Sequence, residues 1–176
     1  MTSDQKYEFA LHQALDPSAH VVNMFRTGLE QAANAQPHYG QGWGAYEKRF
    51  AAGELDQITS STLIDGFLPS LLHEDPRYFR RGRGSVMARS WYAASRTLVT
   101  QRDNGTAGFN TSETLGQLIS CGISTSYYPA RDRTLRSVSA NWAVDLSTNS
   151  IFNVFAEFYP DLKHAIFRSH KQPSGN

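Results

Sequence analysis

An arginine cluster at residues 73–84 (HEDPRYFRRGRG) is the stretch of this chain best suited to binding chemistry. Its four arginines are Arg77, Arg80, Arg81 and Arg83. Guanidinium groups bind phosphates and carboxylates through paired, planar hydrogen bonds. Pro76 prevents a continuous helix here, and the glycines at 82 and 84 loosen the backbone. We expect a basic corner between two ordered elements, which holds an anion, pairs with buried carboxylates or rests on a charged surface.

A ladder of polar residues on the longest predicted helix is the second candidate site. Its members recur every four residues and therefore share one helix face. They are Asn141, Asp145, Asn149, Asn153 and Glu157. The face is either solvated or a buried polar seam. Surface faces usually carry Lys and Glu rather than Asn, which favours the seam.

Two arginines on a neighbouring predicted helix are suitable partners for this seam. Arg89 and Arg96 lie two turns apart on the helix predicted at 85–101, so they share a face. A buried carboxylate requires a partner. We therefore expect one of these arginines to pair with Asp145 or Glu157.

A second arginine loop contains Arg131 and Arg133, with Arg136 close behind. If the helices predicted at 85–101 and 111–128 form an antiparallel hairpin around Asn104-Gly105, this loop meets the basic corner. The merged patch would bind phosphate, a polyanion or anionic lipid. The alternative is local neutralisation of the patch by the acidic residues Glu74, Asp75 and Asp132.

Patterns of catalysis and metal binding are missing from the sequence. The six histidines form no metal-binding pair of helical spacing, and no Gly-x-Ser-x-Gly motif occurs. The single cysteine, Cys121, lies in an apolar helical stretch and is expected to be a buried small hydrophobe. We predict no catalytic residue, no metal site and no cofactor.

The elements that must position these residues form an all-α, single-domain bundle of about five to seven helices with Pro/Gly corners. Turn signals and apolar periodicity predict the helices. Their ranges are 2–15, 19–35, 43–52, 59–72 with a kink at Pro69, 85–101, 111–128 and 134–158, with a final turn at 161–168. Pro160 is expected to stop the longest helix. The domain covers 1–170, and a disordered tail covers 171–176.

Small residues form a stripe along the helix predicted at 111–128. They are Ser112, Gly116, Ser120 and Ser124, spaced by four. A face with so little bulk lets another helix approach closely. This is typical either of tight packing inside a soluble bundle or of helix packing in a membrane or an oligomer.

Composition excludes several classes of protein. The 176 residues carry a net charge of +1, so no nucleic-acid partner is expected. Mean hydropathy is −0.47, and no stretch of 18 apolar residues occurs, which argues against a multi-span membrane protein. The N-terminal residues resemble no export leader, which leaves a cytoplasmic location open.

Several motifs together resemble an uncharacterised family of exported bacterial helical proteins. They are Tyr39-Gly40-Gln41-Gly42, Tyr46-Glu47-Lys48-Arg49-Phe50, the HEDPRYF run at 73–79, Tyr127-Tyr128-Pro129 and Glu157-Phe158-Tyr159-Pro160-Asp161. The resemblance covers about residues 6–167. It implies a location in the periplasm or cell envelope and no known activity.

Two functions remain as expectations. The first is a non-enzymatic, envelope-associated protein that acts through interaction or assembly. Its partners would be further copies of itself, another envelope protein, or anionic lipid contacted by the basic corner. The second is a helical domain that binds a small molecule or anion through the buried Arg/Asp/Glu seam, either as a binding protein or as an enzyme.

Overall fold

The structure of the chain is a computed structural model. It describes residues 1–169, except for the side chains of Asp132 and of residues 167–169. The predicted tail at 171–176 lies outside the described residues. The predicted all-α class is confirmed, because 72% of the chain is helical and only one small three-stranded sheet accompanies the helices.

Seven α-helices and three short strands make up the described fold. The helices are α1 (Ser3–Ala14), α2 (Pro17–Ala32), α3 (Trp43–Ser60), α4 (Leu68–Leu72), α5 (Val86–Ser95), α6 (Thr111–Ser124) and α7 (Leu135–Ser169). The strands are β1 (Glu74–Asp75), β2 (Val99–Arg102) and β3 (Ala107–Phe109). Short 3-10 turns occur at Pro37–Tyr39 and Ala130–Asp132.

A π-helical segment, Ser61–Phe67, joins α3 to α4 in one continuous helical rod. The sequence predicts two separate helices here, with a kink at Pro69. Pro69 has no amide hydrogen, and its ring crowds the carbonyl four residues earlier. Widening the preceding turn accommodates that ring, and the Leu68 amide donates to the Leu63 carbonyl in the π pattern. The widened turn is where Asp65 lies.

The helix predicted at 85–101 is too long by about two turns, because α5 ends at Ser95. The chain then forms β2 and β3, which pair in an antiparallel hairpin, and β1 pairs with the other edge of β2. The β-branched residues Val99 and Thr100 favour a strand. Gly105, at φ +83°, permits the tight turn.

The longest helix does not stop at Pro160, as predicted, but continues to Ser169. Pro160 removes one backbone donor from this turn. Two side-chain donors act in the same turn, because Arg80 Nε and Arg89 Nη2 donate to the Glu157 carbonyl at 2.8 and 2.9 Å. These contacts fix the basic corner and α5 to the turn of α7 that contains Pro160.

The small-residue stripe of α6 is a close-packing face, and all four of its members are buried. A Cβ built on Gly116 would lie 2.9 Å from Ile64 Cγ1 and from Leu68 Cδ1. The rod therefore approaches α6 as closely as glycine allows. This contact brings the π-segment and its carboxylate against α6.

Candidate functional site

The basic corner wraps around one buried carboxylate, that of Glu157 on α7, which is 0% exposed. The Glu157 oxygens accept hydrogen bonds from the Tyr78 hydroxyl at 2.7 Å and from the Arg81 and Gly82 amides at 2.9 and 2.8 Å. The Arg89 Nε on α5 donates a fourth at 2.8 Å. Four donors on one carboxylate fix the corner to α7.

These contacts determine the protonation state of Glu157. Burial alone would raise its pKa, but the donors from Arg89, Tyr78 and the two backbone amides outweigh burial and lower the pKa from 4.5 to about 2. The expected pairing of Arg89 with a ladder carboxylate is present in the structure. Arg96, in contrast, pairs with no carboxylate among the described residues.

Two more corner arginines are held by neighbouring carboxylates. Arg77 donates through Nε and Nη2 to Asp75 at 3.0 and 2.7 Å. Arg80 donates to Asp161 at 2.6 Å. Internal ion pairs therefore occupy both side chains, which leaves Arg81 and Arg83 as the corner arginines that pair with no described carboxylate.

The second arginine loop lies far from the basic corner, so the prediction of one merged patch is wrong. Arg133 donates to the Tyr128 carbonyl at 2.8 Å, just before α7 begins, and Arg131 lies in the 3-10 turn beside it. The corner is fixed near Glu157, roughly 30 Å further along α7 at 1.5 Å per residue. The two loops lie apart because the corner and α5 contact α7 at Glu157, whereas the second loop directly precedes the first residue of α7.

The polar ladder of α7 faces inward, as the seam interpretation requires. Asp145 accepts hydrogen bonds from Gln117 Nε2 at 2.8 Å and Cys121 Sγ at 3.4 Å. Arg26 on α2 lies 3.8 Å from its second oxygen. Burial raises the pKa of Asp145 above its usual range despite these partners.

Two other ladder residues bind α6 and the segment after α5. Asn149 donates to the Glu113 carboxylate, and Asn153 donates to Thr97 Oγ1 at 3.3 Å. Burial raises the pKa of Glu113 as well. The ladder therefore joins α7 to α6 and to the segment after α5 through side-chain hydrogen bonds.

The ladder lines a cavity of about 740 Å³ at the centre of the bundle. The volume falls in the range of small-molecule sites, about 300–1,000 Å³. Its walls come from α1, α2, the rod, α5, α6 and α7. Its charged wall residues are Asp16, Arg26, Asp56, Asp65, Arg77, Arg96, Glu113 and Asp145.

Four carboxylates of this wall, Asp16, Asp56, Asp65 and Glu113, are not among the site residues predicted from the sequence. Asp56 accepts hydrogen bonds from Tyr127, Tyr128 and Ser124. Asp65 accepts none, and burial followed by repulsion from Glu113 raises its pKa to about 8. Its isolated position in the apolar run 63–68 was a usable signal.

Cys121 is a buried thiol, as predicted. Burial, and then the neighbouring Asp145 carboxylate, raises its pKa to about 12. The thiol is therefore protonated and a poor nucleophile. Among the described side chains, no group of three or more His, Cys, Asp or Glu could hold a metal ion.

Three helices of this bundle, α2, α6 and α7, turn polar faces inward and apolar faces outward. On α6 the buried face consists of Ser, Gly, Gln and Cys, while Leu115, Leu118, Ile119 and Ile123 are exposed. On α2, Asn23 lines the cavity and Thr27 is buried, whereas the apolar residues of the opposite face are exposed. Phe25 on α2 is 70% exposed, and Trp91 on α5 is 78% exposed.

Such a surface is unusual for a folded chain in water, where large exposed apolar patches mark contacts with proteins or membranes. No described helix combines the length and hydropathy needed to cross a membrane. Comparisons with protein-family models, curated proteins and solved structures found no match to this chain.

Proposed function

We propose that this protein is a non-enzymatic helical protein of the cell envelope whose apolar outer surface lies against lipid acyl chains. The observation that carries the proposal is the inverted polarity of its helices. Polar side chains on α2, α6 and α7 face the interior, and the outward faces carry Val, Leu, Ile, Met and Phe. The envelope location agrees with the family resemblance of the sequence.

Lipid is favoured over a single protein partner because the apolar side chains surround the bundle. Phe25, Leu118, Phe155 and Trp91 lie on four different helices, and each is exposed. A standard protein interface covers only about a tenth of a small protein's surface. Lipid can cover all of these faces at once.

The basic corner has a smaller role than its sequence suggests. Arg77 and Arg80 are held in ion pairs, so Arg81 and Arg83 are the groups that would meet anionic headgroups. Each basic side chain near an anionic surface contributes about 1 kcal/mol to binding. The apolar faces supply most of the affinity.

Vesicle flotation tests this proposal with two lipid compositions, phosphatidylcholine alone and phosphatidylcholine mixed with phosphatidylglycerol. The wild-type protein is expected to float with both. The double variant Phe25→Gln/Leu29→Gln should float less with both, because it makes the outer face of α2 polar. Arg81→Ala/Arg83→Ala should weaken flotation only with the anionic mixture.

Light scattering after size exclusion in detergent-free buffer is the companion measurement. A stable homo-oligomer that fails to float would refute lipid as the covering and assign the apolar faces to self-assembly. A monomer that fails to float would refute both forms of the proposal.

A further inference from the structure

The central cavity contains a cation that has no anionic partner among the described side chains. Arg96 lies in the cavity wall, next to Tyr92, whose ring centre is 4.5 Å from the guanidinium carbon. Its Nε is buried and makes no hydrogen bond. None of the carboxylates whose side chains the structure describes forms an ion pair with it. A half-buried guanidinium whose Nε hydrogen has no acceptor is unfavourable, which points to an anionic group that the cavity would receive.

The same cavity contains a carboxyl group that has no partner among the described residues. Asp65 lies in the cavity wall on the widened turn of the rod, and among the described residues it makes no hydrogen bond and no ion pair. The other carboxylates of the wall differ in this respect. Asp56, Glu113 and Asp145 each accept hydrogen bonds from neighbouring side chains. Asp65 is therefore the wall group best placed to receive a donor cation.

We propose that the cavity binds a small zwitterionic solute, whose carboxylate pairs with Arg96 and whose ammonium group pairs with Asp65. A solute with one charge would meet one of these groups and leave the other without a partner, and only an ammonium group beside Asp65 favours the ionised form of its carboxyl. A zwitterion satisfies both. Amide side chains in the wall, Asn23, Asn141 and Asn153, supply further donors and acceptors.

The site is independent of the proposed lipid contact. The cavity is formed by the inward sides of the helices, and the lipid-facing residues lie on their outward sides. Failure of vesicle flotation would leave the cavity proposal untouched, and the reverse also holds.

Isothermal titration calorimetry with ω-amino acids tests the proposal. The probes are β-alanine, 4-aminobutyrate and 6-aminohexanoate, which separate the two charges by increasing lengths. Hexylamine and hexanoate are matched single-charge controls for the longest probe. At least one ω-amino acid should bind, and the best probe should bind about tenfold or more tightly than an amine or acid of the same length.

Two variants assign the two ends of the ligand. Arg96→Met should weaken binding of the best ω-amino acid about tenfold or more and remove its advantage over the amine. Asp65→Asn should weaken it similarly and remove its advantage over the acid. Arg136→Met and Asp4→Asn are matched controls at exposed positions outside the cavity wall, and both should bind like the wild type.

The measurements on the wild-type protein alone can overturn the proposal, so the test does not depend on whether the variants fold. It fails if no ω-amino acid binds. It also fails if hexylamine or hexanoate binds as tightly as 6-aminohexanoate while no shorter ω-amino acid binds more tightly. Wild-type affinity in both variants would place the ligand elsewhere.

Discussion

The substitution Glu157→Gln tests whether one buried carboxylate holds the basic corner to α7. Glutamine keeps the shape of the side chain but removes the charge and replaces one acceptor oxygen with a donor. The Arg81 and Gly82 amides, the Tyr78 hydroxyl and Arg89 would then face a group that is half donor. We expect the corner to detach more easily and the fold to lose stability.

The structure sets the scale of this loss. Removing one partner of a buried ion pair costs about 3–5 kcal/mol. Here the loss should be smaller, about 2–3 kcal/mol, because glutamine keeps one acceptor and Asp161 still pairs with Arg89 at 2.7 Å. With a urea slope of about 2 kcal/mol per molar, the unfolding midpoint should fall by about 1–1.5 M.

Urea unfolding followed by far-ultraviolet circular dichroism measures this midpoint at several pH values. The folded pKa of Glu157 is lowered from 4.5 to about 2, so the ionised carboxylate contributes its full stability above about pH 5. That contribution is lost as the pH falls towards 2. The gap between wild type and variant should therefore be largest near pH 7 and shrink in acid.

The control is Asp161→Asn, because this residue also pairs with Arg89 but its side chain is 48% exposed. Exposed ion pairs contribute little, so its midpoint should move much less. A Glu157→Gln midpoint equal to that of Asp161→Asn would refute the clamp. So would a gap that stays constant from pH 7 to pH 2.5.

Three further outcomes are expected from the same structure. Gly116→Ala should lower stability by about 1–3 kcal/mol, because its Cβ would lie 2.9 Å from two side chains of the rod. Gly122→Ala on the same helix has no atom within 4 Å of the new Cβ and should raise stability by about 0.5–1 kcal/mol; equal urea midpoints would contradict the close contact. The Cys121 thiol, whose pKa burial raises to about 12, should react with iodoacetamide at pH 8 far more slowly than the unfolded chain does. The pKa of Asp65 is raised to about 8, so stability should fall as the pH rises from about 4 to 8; Asp65→Asn should remove that slope, and an unchanged slope would contradict the assignment.

Much of the fold could be predicted because local signals agreed with tertiary packing. The turn signals at Asn104-Gly105 and the four-residue spacing of the polar ladder both predicted elements that the structure contains. The prediction failed at Pro160, where α7 continues and the side chains of Arg80 and Arg89 contact the same turn through the Glu157 carbonyl.

The candidate site was harder to predict, because its geometry depends on pairing across the chain. The spacing placed Arg89 near a ladder carboxylate, and the structure contains that pair. It could not distinguish Arg89 from Arg96, since both lie on one helix face. Only the packing of α5 on α7 leaves Arg96 facing the cavity without an acceptor. Asp65 belongs to no residue pattern that repeats along a helix face. Its only signal in the sequence is that it is a single acid within an apolar run.

The inverted polarity of the helices makes the two proposals separable on a single element. On α2, Asn23 and Arg26 lie in the cavity wall, whereas Phe25 and Leu29 are 70% and 56% exposed. Because residues three or four apart share a helix face, the two sets can be changed independently. Phe25→Gln/Leu29→Gln should therefore lose vesicle binding and keep the affinity for the best ω-amino acid. Loss of both activities in a variant with a wild-type circular dichroism spectrum would mean that lipid contact and cavity shape are coupled.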